Sequence, residues 1–491
     1  MFVKDKPPES VILVFPRIAG NVTLPVLPFG LLAVASSLRR AGFFVRIIDL
    51  NIDSEQQLHD TLKTMKIIFV GFSVFTGPMI QQVLEISANI RISHPNVPLV
   101  WGGPHPTIMP ELTIRHQLVD IVCRGEGERT AIRLAKAIAG NESLNDIPGL
   151  TFKRNGEIVS TDPGERISSE DVDREVSLDI GSIDLDPYVF MNNGKRTAVF
   201  ITSRGCPYRC SFCWNLMFHE RKYIAWSPQK VEAELKPLID MKIDKVLIFD
   251  SFVGSVSRVH AMGEIFRRHH IEWAIEDGCR VDYHNSEEFF RGLKETGCTH
   301  VAFGSESGSQ RILDLIHKDI TVDDILRSAR LSHAHGIKGR YQWMTGIPGE
   351  TREDALKTVR LIDDVSRINA QSAHSLELYL PYPGNELFDM ACKAGWRPPK
   401  NIEDWGVYRW QGRYPYHKEG TWFYKSIQYS NFFFRYSSLA SMSAFSENIK
   451  PVFRAVNTLY WPFAAVRWKM RWFGMPVEYW LGESIRRFLE K

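Results

Sequence analysis

The stretch "TSRGCPYRCSFCWN", residues 202–215, sets Cys206, Cys210 and Cys213 within eight positions. A structural zinc site takes four ligands, usually from paired Cys-x-x-Cys knuckles or Cys/His pairs. Here the spacing is Cys-x3-Cys-x2-Cys with no second knuckle nearby, and His219 is the one neighbouring candidate for a fourth ligand. A redox Cys-x-x-Cys pair leaves Cys206 without a part. A [4Fe–4S] cluster normally takes four thiolates. Three leave one iron open to a substrate or cofactor, the logic by which catalytic zinc keeps an open position. The three thiols therefore read as ligands of a catalytic cluster.

Outward from this stretch the chain alternates strands and helices. "AVFIT" (198–202) reads as a strand, and further candidates follow at 245–250, 272–276, 300–306, 340–348 and 375–380. Six β/α units suggest a barrel or partial barrel, whose chemistry sits on loops at the carboxyl ends of its strands. The cysteines lie just past the first strand.

Upstream, strand candidates at 11–16, 43–49, 67–73, 98–103 and 120–125 alternate with helical patterns carrying apolar residues at i, i+3, i+4 and i+7. This predicts a doubly wound parallel sheet with a ligand crevice at the strands' carboxyl ends. "GLTFKRNGEIVST" (149–161) predicts a hairpin turning at Asn155-Gly156. The acidic, polar "DPGERISSEDVDREVSLD" (162–179) is a linker candidate. The expected division is 1–148 for the doubly wound domain, 149–197 for hairpin and linker, 198–400 for the barrel, and 401–491 for a separate C-terminal region.

The totals narrow the class. The 491 residues exceed one ordinary core. A net charge of +3 gives no polyanion signal, so nucleic acid is not an expected partner. Seven cysteines, an odd number with three clustered, do not form a disulfide framework and suit a reducing cytoplasm. The N-terminus lacks signal-peptide character, and no uncharged apolar run is long enough to span a membrane.

The motif Cys206-Pro-Tyr-Arg-Cys210-Ser-Phe-Cys213 resembles the signature of the radical S-adenosylmethionine (SAM) superfamily. That family's fold is a partial (β/α)6 barrel, in agreement with the six units. The resemblance implies a [4Fe–4S] cluster whose open iron chelates SAM and, once reduced, cleaves it to a 5′-deoxyadenosyl radical. It places Phe212 near the adenine. "VAFGSESGSQRIL" resembles the fourth-strand region, where Ser305 and Glu306 would approach the ribose or methionine portion. "MTGIPGET" resembles a compressed fifth-strand adenine motif, with backbone contacts by Ile347. "LIFDSF" stands where many members carry a Gly-Gly-Glu turn, leaving Asp250 as a stand-in.

In the N-terminal half, "GFSVFTG", "WGGPHPTIMPE" and "CRGEGE" resemble the cobalamin-binding domain attached to many radical SAM enzymes. The resemblance implies a channel for the cofactor's nucleotide tail lined by Ser73, Thr76, Gly102, Gly103, His105, Gly125 and Glu126. The DxHxxG motif, whose His ligates cobalt in many cobalamin domains, is absent after the first strand. His105 reads as a loop hydrogen-bonding residue rather than an axial ligand.

Residues 400–491 hold seven of the thirteen tryptophans. This helical, aromatic-rich region suits a cap over the barrel mouth, a peripheral membrane contact, or both. Pro462, Gly474 and Pro476 are expected to break any long helix. The leading expectation is a cobalamin-dependent radical SAM methyltransferase acting on an unactivated carbon of a hydrophobic lipid, tetrapyrrole or natural product, through the 5′-deoxyadenosyl radical and methylcobalamin. An external flavodoxin or ferredoxin would supply electrons. The alternatives are an oxidative cyclase or ring-rearranging enzyme with the same cofactors, a tRNA methylthiotransferase, and a non-catalytic cobalamin carrier.

Overall fold

The computed structural model describes residues 9–17, 25–406, 421–435 and 450–475, with 477, 480, 481 and 484 singly. The N-terminal sheet contains β1 (Glu9–Phe15), β2 (Phe44–Asp49), β3 (Lys66–Ser73), β4 (Leu99–Gly102), β5 (Ile121–Cys123), β6 (Leu150–Arg154) and β7 (Glu157–Ser160). Their order is β2-β1-β3-β4-β5-β6-β7. The first five are parallel, and the last two form the hairpin. Six of the seven β1 residues are buried, as in a strand covered on both faces. Asn155 and Gly156 both have positive φ, the geometry that a two-residue hairpin turn with the strands' own twist requires.

Residues 161–189 are not a loose linker. Ile167, Val172, Val176, Leu178 and Ile180 are buried, so the acidic residues between them form one face of a packed strap. Polar contacts fasten the strap on both sides. Arg129 of the helix Glu128–Gly140 makes a two-pronged pair with Glu175, at 2.8 and 2.9 Å. Tyr188 donates to Asp49 at 2.7 Å. Glu234 of the helix Pro228–Asp240 accepts the backbone N–H groups of Leu178 and Asp179. Charge density alone hid this order, because the apolar residues are spaced too irregularly to mark an element.

The second sheet contains β8 (Phe190–Asn192), β9 (Lys195–Phe200), β12 (Lys245–Phe249), β13 (Glu272–Cys279), β14 (Cys298–Glu306), β15 (Lys338–Thr345) and β16 (Ala373–Leu378), in the order β16-β15-β14-β13-β12-β9-β8. Six strands are parallel and β8 pairs antiparallel at the edge. This is the expected half-barrel. Between β9 and β12 a short antiparallel ribbon, β10 (Ser203–Gly205) with β11 (Tyr223–Ala225), brackets the cysteine loop. Phe29 and Phe200 meet edge-to-face at 6.1 Å, joining the two sheets' cores.

The helix Thr421–Arg435 lies beside β16, where Gln428 donates to Glu377 at 3.0 Å and Asn431 to the His374 carbonyl at 3.3 Å. The helix Lys450–Lys469 runs through Pro462 without ending, contrary to the expectation for that residue. Proline removes one helical hydrogen bond, and the carbonyl it frees belongs to exposed Thr458, which water can satisfy. Pro476 lies outside the described residues.

Candidate active site

The cysteine loop is fixed at several points. Ser211 donates its N–H to Ile316 and accepts at its carbonyl from Leu387, and Cys213 N–H closes a turn onto Cys210. At the loop's base, Asp250 takes the Thr202 N–H at 2.7 Å, the Thr202 hydroxyl at 2.5 Å and the Ser203 N–H at 3.2 Å. Both carboxylate oxygens of Asp250 are thus engaged with the strand bend that precedes the cysteines.

The thiols are partly enclosed. Burial and the neighbouring cysteines push Cys213 up to about 12 and raise Cys206. Two cations stand against them. Arg280 Nη1 is 4.0 Å from Cys210 Sγ, and its guanidinium stacks 3.7 Å over Tyr208. Lys318 lies 5.9 Å over the Phe212 ring and pairs with Glu306 at 2.8 Å. Burial opposes the Lys318 charge, but the Glu306 carboxylate keeps its ammonium above the usual range. A thiol in an apolar pocket stays protonated until a metal replaces the proton. Three cysteines beside two cations suit an anionic iron–sulfur cluster. Among the described residues no three His, Cys, Asp or Glu side chains converge on one metal ion, and His219 packs against Phe218 and Trp214.

The expected SAM residues surround this loop at the strands' carboxyl ends. Ser305 is wholly buried, and its hydroxyl has no protein partner. An unpaired buried hydroxyl is costly and invites a ligand group. Ile347 is also wholly buried, and its carbonyl accepts the Glu350 N–H at 2.8 Å. The loop carrying it is closed by Glu350, which accepts from the Thr345 hydroxyl at 2.9 Å and the Gly346 N–H at 2.5 Å. Burial pushes Glu350 up to about 8.

At the N-terminal sheet, Ser73 is paired with Gly102 across β3 and β4. Gly103 has φ +91, and a Cβ there would lie 2.9 Å from the Val74 nitrogen, so only glycine fits. His105 is wholly buried, its Nδ1 3.0 Å from Thr76 Oγ1 and its ring 6.0 Å from Trp405. Burial lowers it to about 4, leaving a neutral ring whose Nε2 has no protein partner. Gly125 N–H donates to Thr107 at 2.9 Å. These residues form one polar edge with an unsatisfied nitrogen, which fits a polar cofactor tail. Glu126 points elsewhere. It accepts from the Ile167 N–H at 3.3 Å, and its other oxygen lies 3.8 Å from His219, at the seam between the sheets.

Residues 17–135 match the family model for the B12 binding domain, and residues 200–362 match that of the radical SAM superfamily. An uncharacterized methyltransferase of Pyrococcus horikoshii is 32% identical over 394 residues, covering 78% of this chain and 81% of that one. The chain belongs to the cobalamin-dependent radical SAM superfamily. Another relative, an anaerobic magnesium-protoporphyrin IX monomethyl ester cyclase of Rubrivivax gelatinosus, is 27% identical over 76% of this chain and 67% of its own. The radical SAM methyltransferase TsrM of Kitasatospora setae, solved with cobalamin and a [4Fe-4S] cluster bound, shares the fold with a TM-score of 0.64. It is 21% identical over 80% of this chain and 76% of that one. This radical SAM chain is an enzyme whose cofactors are a [4Fe–4S] cluster, SAM and cobalamin.

Several site residues escaped the sequence. Arg204, Arg280 and Lys318 carry no spacing that marks them, since each sits in an ordinary strand or turn. Asp277 in β13 and Glu377 in β16 are open to water yet surrounded by much protein. Burial pushes them up to about 6 and about 7.

Proposed function

We propose that this enzyme methylates an unactivated carbon of a hydrophobic substrate. When bound, the cluster and SAM supply hydrogen-atom abstraction, and cobalamin supplies a transferable methyl group. In this reading Cys206, Cys210 and Cys213 hold the cluster while Arg280 and Lys318 offset its charge. Phe212, Ser305, Glu306 and the backbone at Ile347 border SAM, and Asp250 shapes the loop beneath it. Ser73, Thr76, Gly102, Gly103, His105 and Gly125 border cobalamin. Glu126 keeps the two cofactor domains in register. Residues 1–148 then serve cobalamin, 198–400 the radical chemistry and 401–491 the closure of the site. An external flavodoxin or ferredoxin supplies electrons in the cytoplasm, which suits seven cysteines with no disulfide among them.

The observation that carries this reading is the matched pair of domains together with a methyltransferase relative aligned over most of both chains. The test is anaerobic turnover of reconstituted enzyme with trideuteromethyl-SAM and an apolar cell extract. The expected product gains a deuterated methyl, with one S-adenosylhomocysteine and one 5′-deoxyadenosine formed per methyl. The cyclase relative favours a second reading, oxidative cyclisation of a tetrapyrrole-like substrate. In that case deoxyadenosine forms without S-adenosylhomocysteine, and the product gains no methyl.

A further inference from the structure

Exposed apolar side chains are concentrated at one place. Eight of the sixteen exposed large hydrophobic residues among those described lie between 459 and 480. Leu459 (83% exposed), Phe463, Val466 and Met470 (70% exposed) recur at the spacing of one helical stripe. Trp472, 45% exposed, lies just past its C-terminal end. The stripe is turned outward by the opposite face. Ala464, Ala465 and Trp468 are buried there, and Trp468 and Arg471 bind the Asp363 carboxylate at 2.9 and 2.6 Å.

The segment that carries the stripe is basic in sequence, with Arg467 buried, Arg471 held by Asp363 and Lys469 exposed beside the stripe. Residues 450–477 contain five Lys or Arg and no Asp or Glu. Residues 450–491 hold eight basic residues against three acidic ones, a net of +5 in a chain whose total is only +3. No helix among the described residues is long and apolar enough to cross a membrane. An outward apolar stripe with an exposed lysine beside it and a tryptophan at its end, on a helix that does not span, is the composition of a segment lying in a lipid interface.

We propose that the outer face of residues 459–475 docks on an anionic lipid bilayer, with the stripe among the acyl chains and Lys469 at the headgroups. This goes beyond the reaction assigned above, since it concerns where the enzyme works. The test is flotation of the cluster- and cobalamin-loaded enzyme with vesicles of phosphatidylcholine, alone or with about a third phosphatidylglycerol. The wild type is expected to float with the anionic vesicles and at least about tenfold less with the neutral ones, and salt should weaken it. The triple variant Leu459→Glu/Val466→Glu/Met470→Glu is expected to lose flotation by at least about tenfold while keeping its cluster and cobalamin absorbance. All three positions point outward, so folding is not at stake. The proposal is overturned if the wild type stays unbound with both vesicles or if the triple variant floats equally well. A wild-type dimer that the triple variant converts to monomer would also overturn it, by assigning the face to a second copy of the chain.

Discussion

Arg204 Nη1 meets Glu128 Oε1 at 2.5 Å, with the two side chains only 14% and 5% exposed. Arg204 lies two residues before Cys206 and 5.4 Å from the Trp226 ring, whereas Glu128 opens a helix of the cobalamin-binding half. One buried ion pair thus ties the cluster loop to the other domain. Removing a single partner from such a pair strands a charge and costs about 3–5 kcal/mol. Glu128→Gln is expected to lower the unfolding temperature of the holoenzyme markedly. The double variant Arg204→Met/Glu128→Leu should recover most of the loss. If the double variant is as unstable as the two single losses combined, the residues are not coupled.

The thiols permit a direct analysis. Replacing Cys206, Cys210 or Cys213 by Ala is expected to abolish the brown absorbance and the roughly four irons per chain. Cobalamin should remain bound, because its edge is built on the other sheet. Iron and cobalt content of anaerobically purified protein reads both at once, and loss of cobalt together with iron would contradict the separation.

Ser305 separates a ligand contact from a structural one. Its hydroxyl makes no bond within the protein. Ser305→Ala is expected to leave stability within about 0.5 kcal/mol of wild type. Affinity for SAM should fall about fivefold to tenfold, the equivalent of one lost hydrogen bond. Unchanged affinity in equilibrium binding would remove Ser305 from the SAM site.

Two fully buried histidines set an acid limit. Burial lowers His105 and His284 to about 4, and they contribute stability at neutral pH. Between about pH 6.5 and 4 the unfolded chain binds protons that the native one refuses, so stability falls as pH falls. Each contributes a slope of about 1.4 kcal/mol per pH unit. Buried carboxyls such as Glu350, raised to about 8, act in the opposite sense, so the readout is the difference between wild type and His105→Gln in urea unfolding across pH 5–7, which should change by one such step.

The sequence made the framework legible because two periodicities carried it. Parallel strands such as β1 and β9 are continuous apolar runs, and the cysteine spacing needs no tertiary information. The strap at 161–189 was harder, since its buried Ile167, Val172 and Val176 are diluted by acids that face solvent and Arg129. Pro462 misled because a helix end was expected where an exposed carbonyl tolerates the lost bond. Arg204, Lys318 and Asp277 were invisible for another reason. Their roles depend on Glu128, Glu306 and the barrel register, partners that chain order does not reveal.

The strap also bears on inheritance. Arg166 within it pairs with Glu220 beyond the cysteine loop at 3.0 Å, Glu175 grips a helix of one domain and the Leu178–Asp179 backbone grips a helix of the other. Genes of this kind can exchange parts by recombination. A crossover between residues 140 and 198 would mate one lineage's clasp with another's grooves and leave matched charges on separate ancestors. The two halves of the enzyme are therefore expected to travel through evolution as a single cassette.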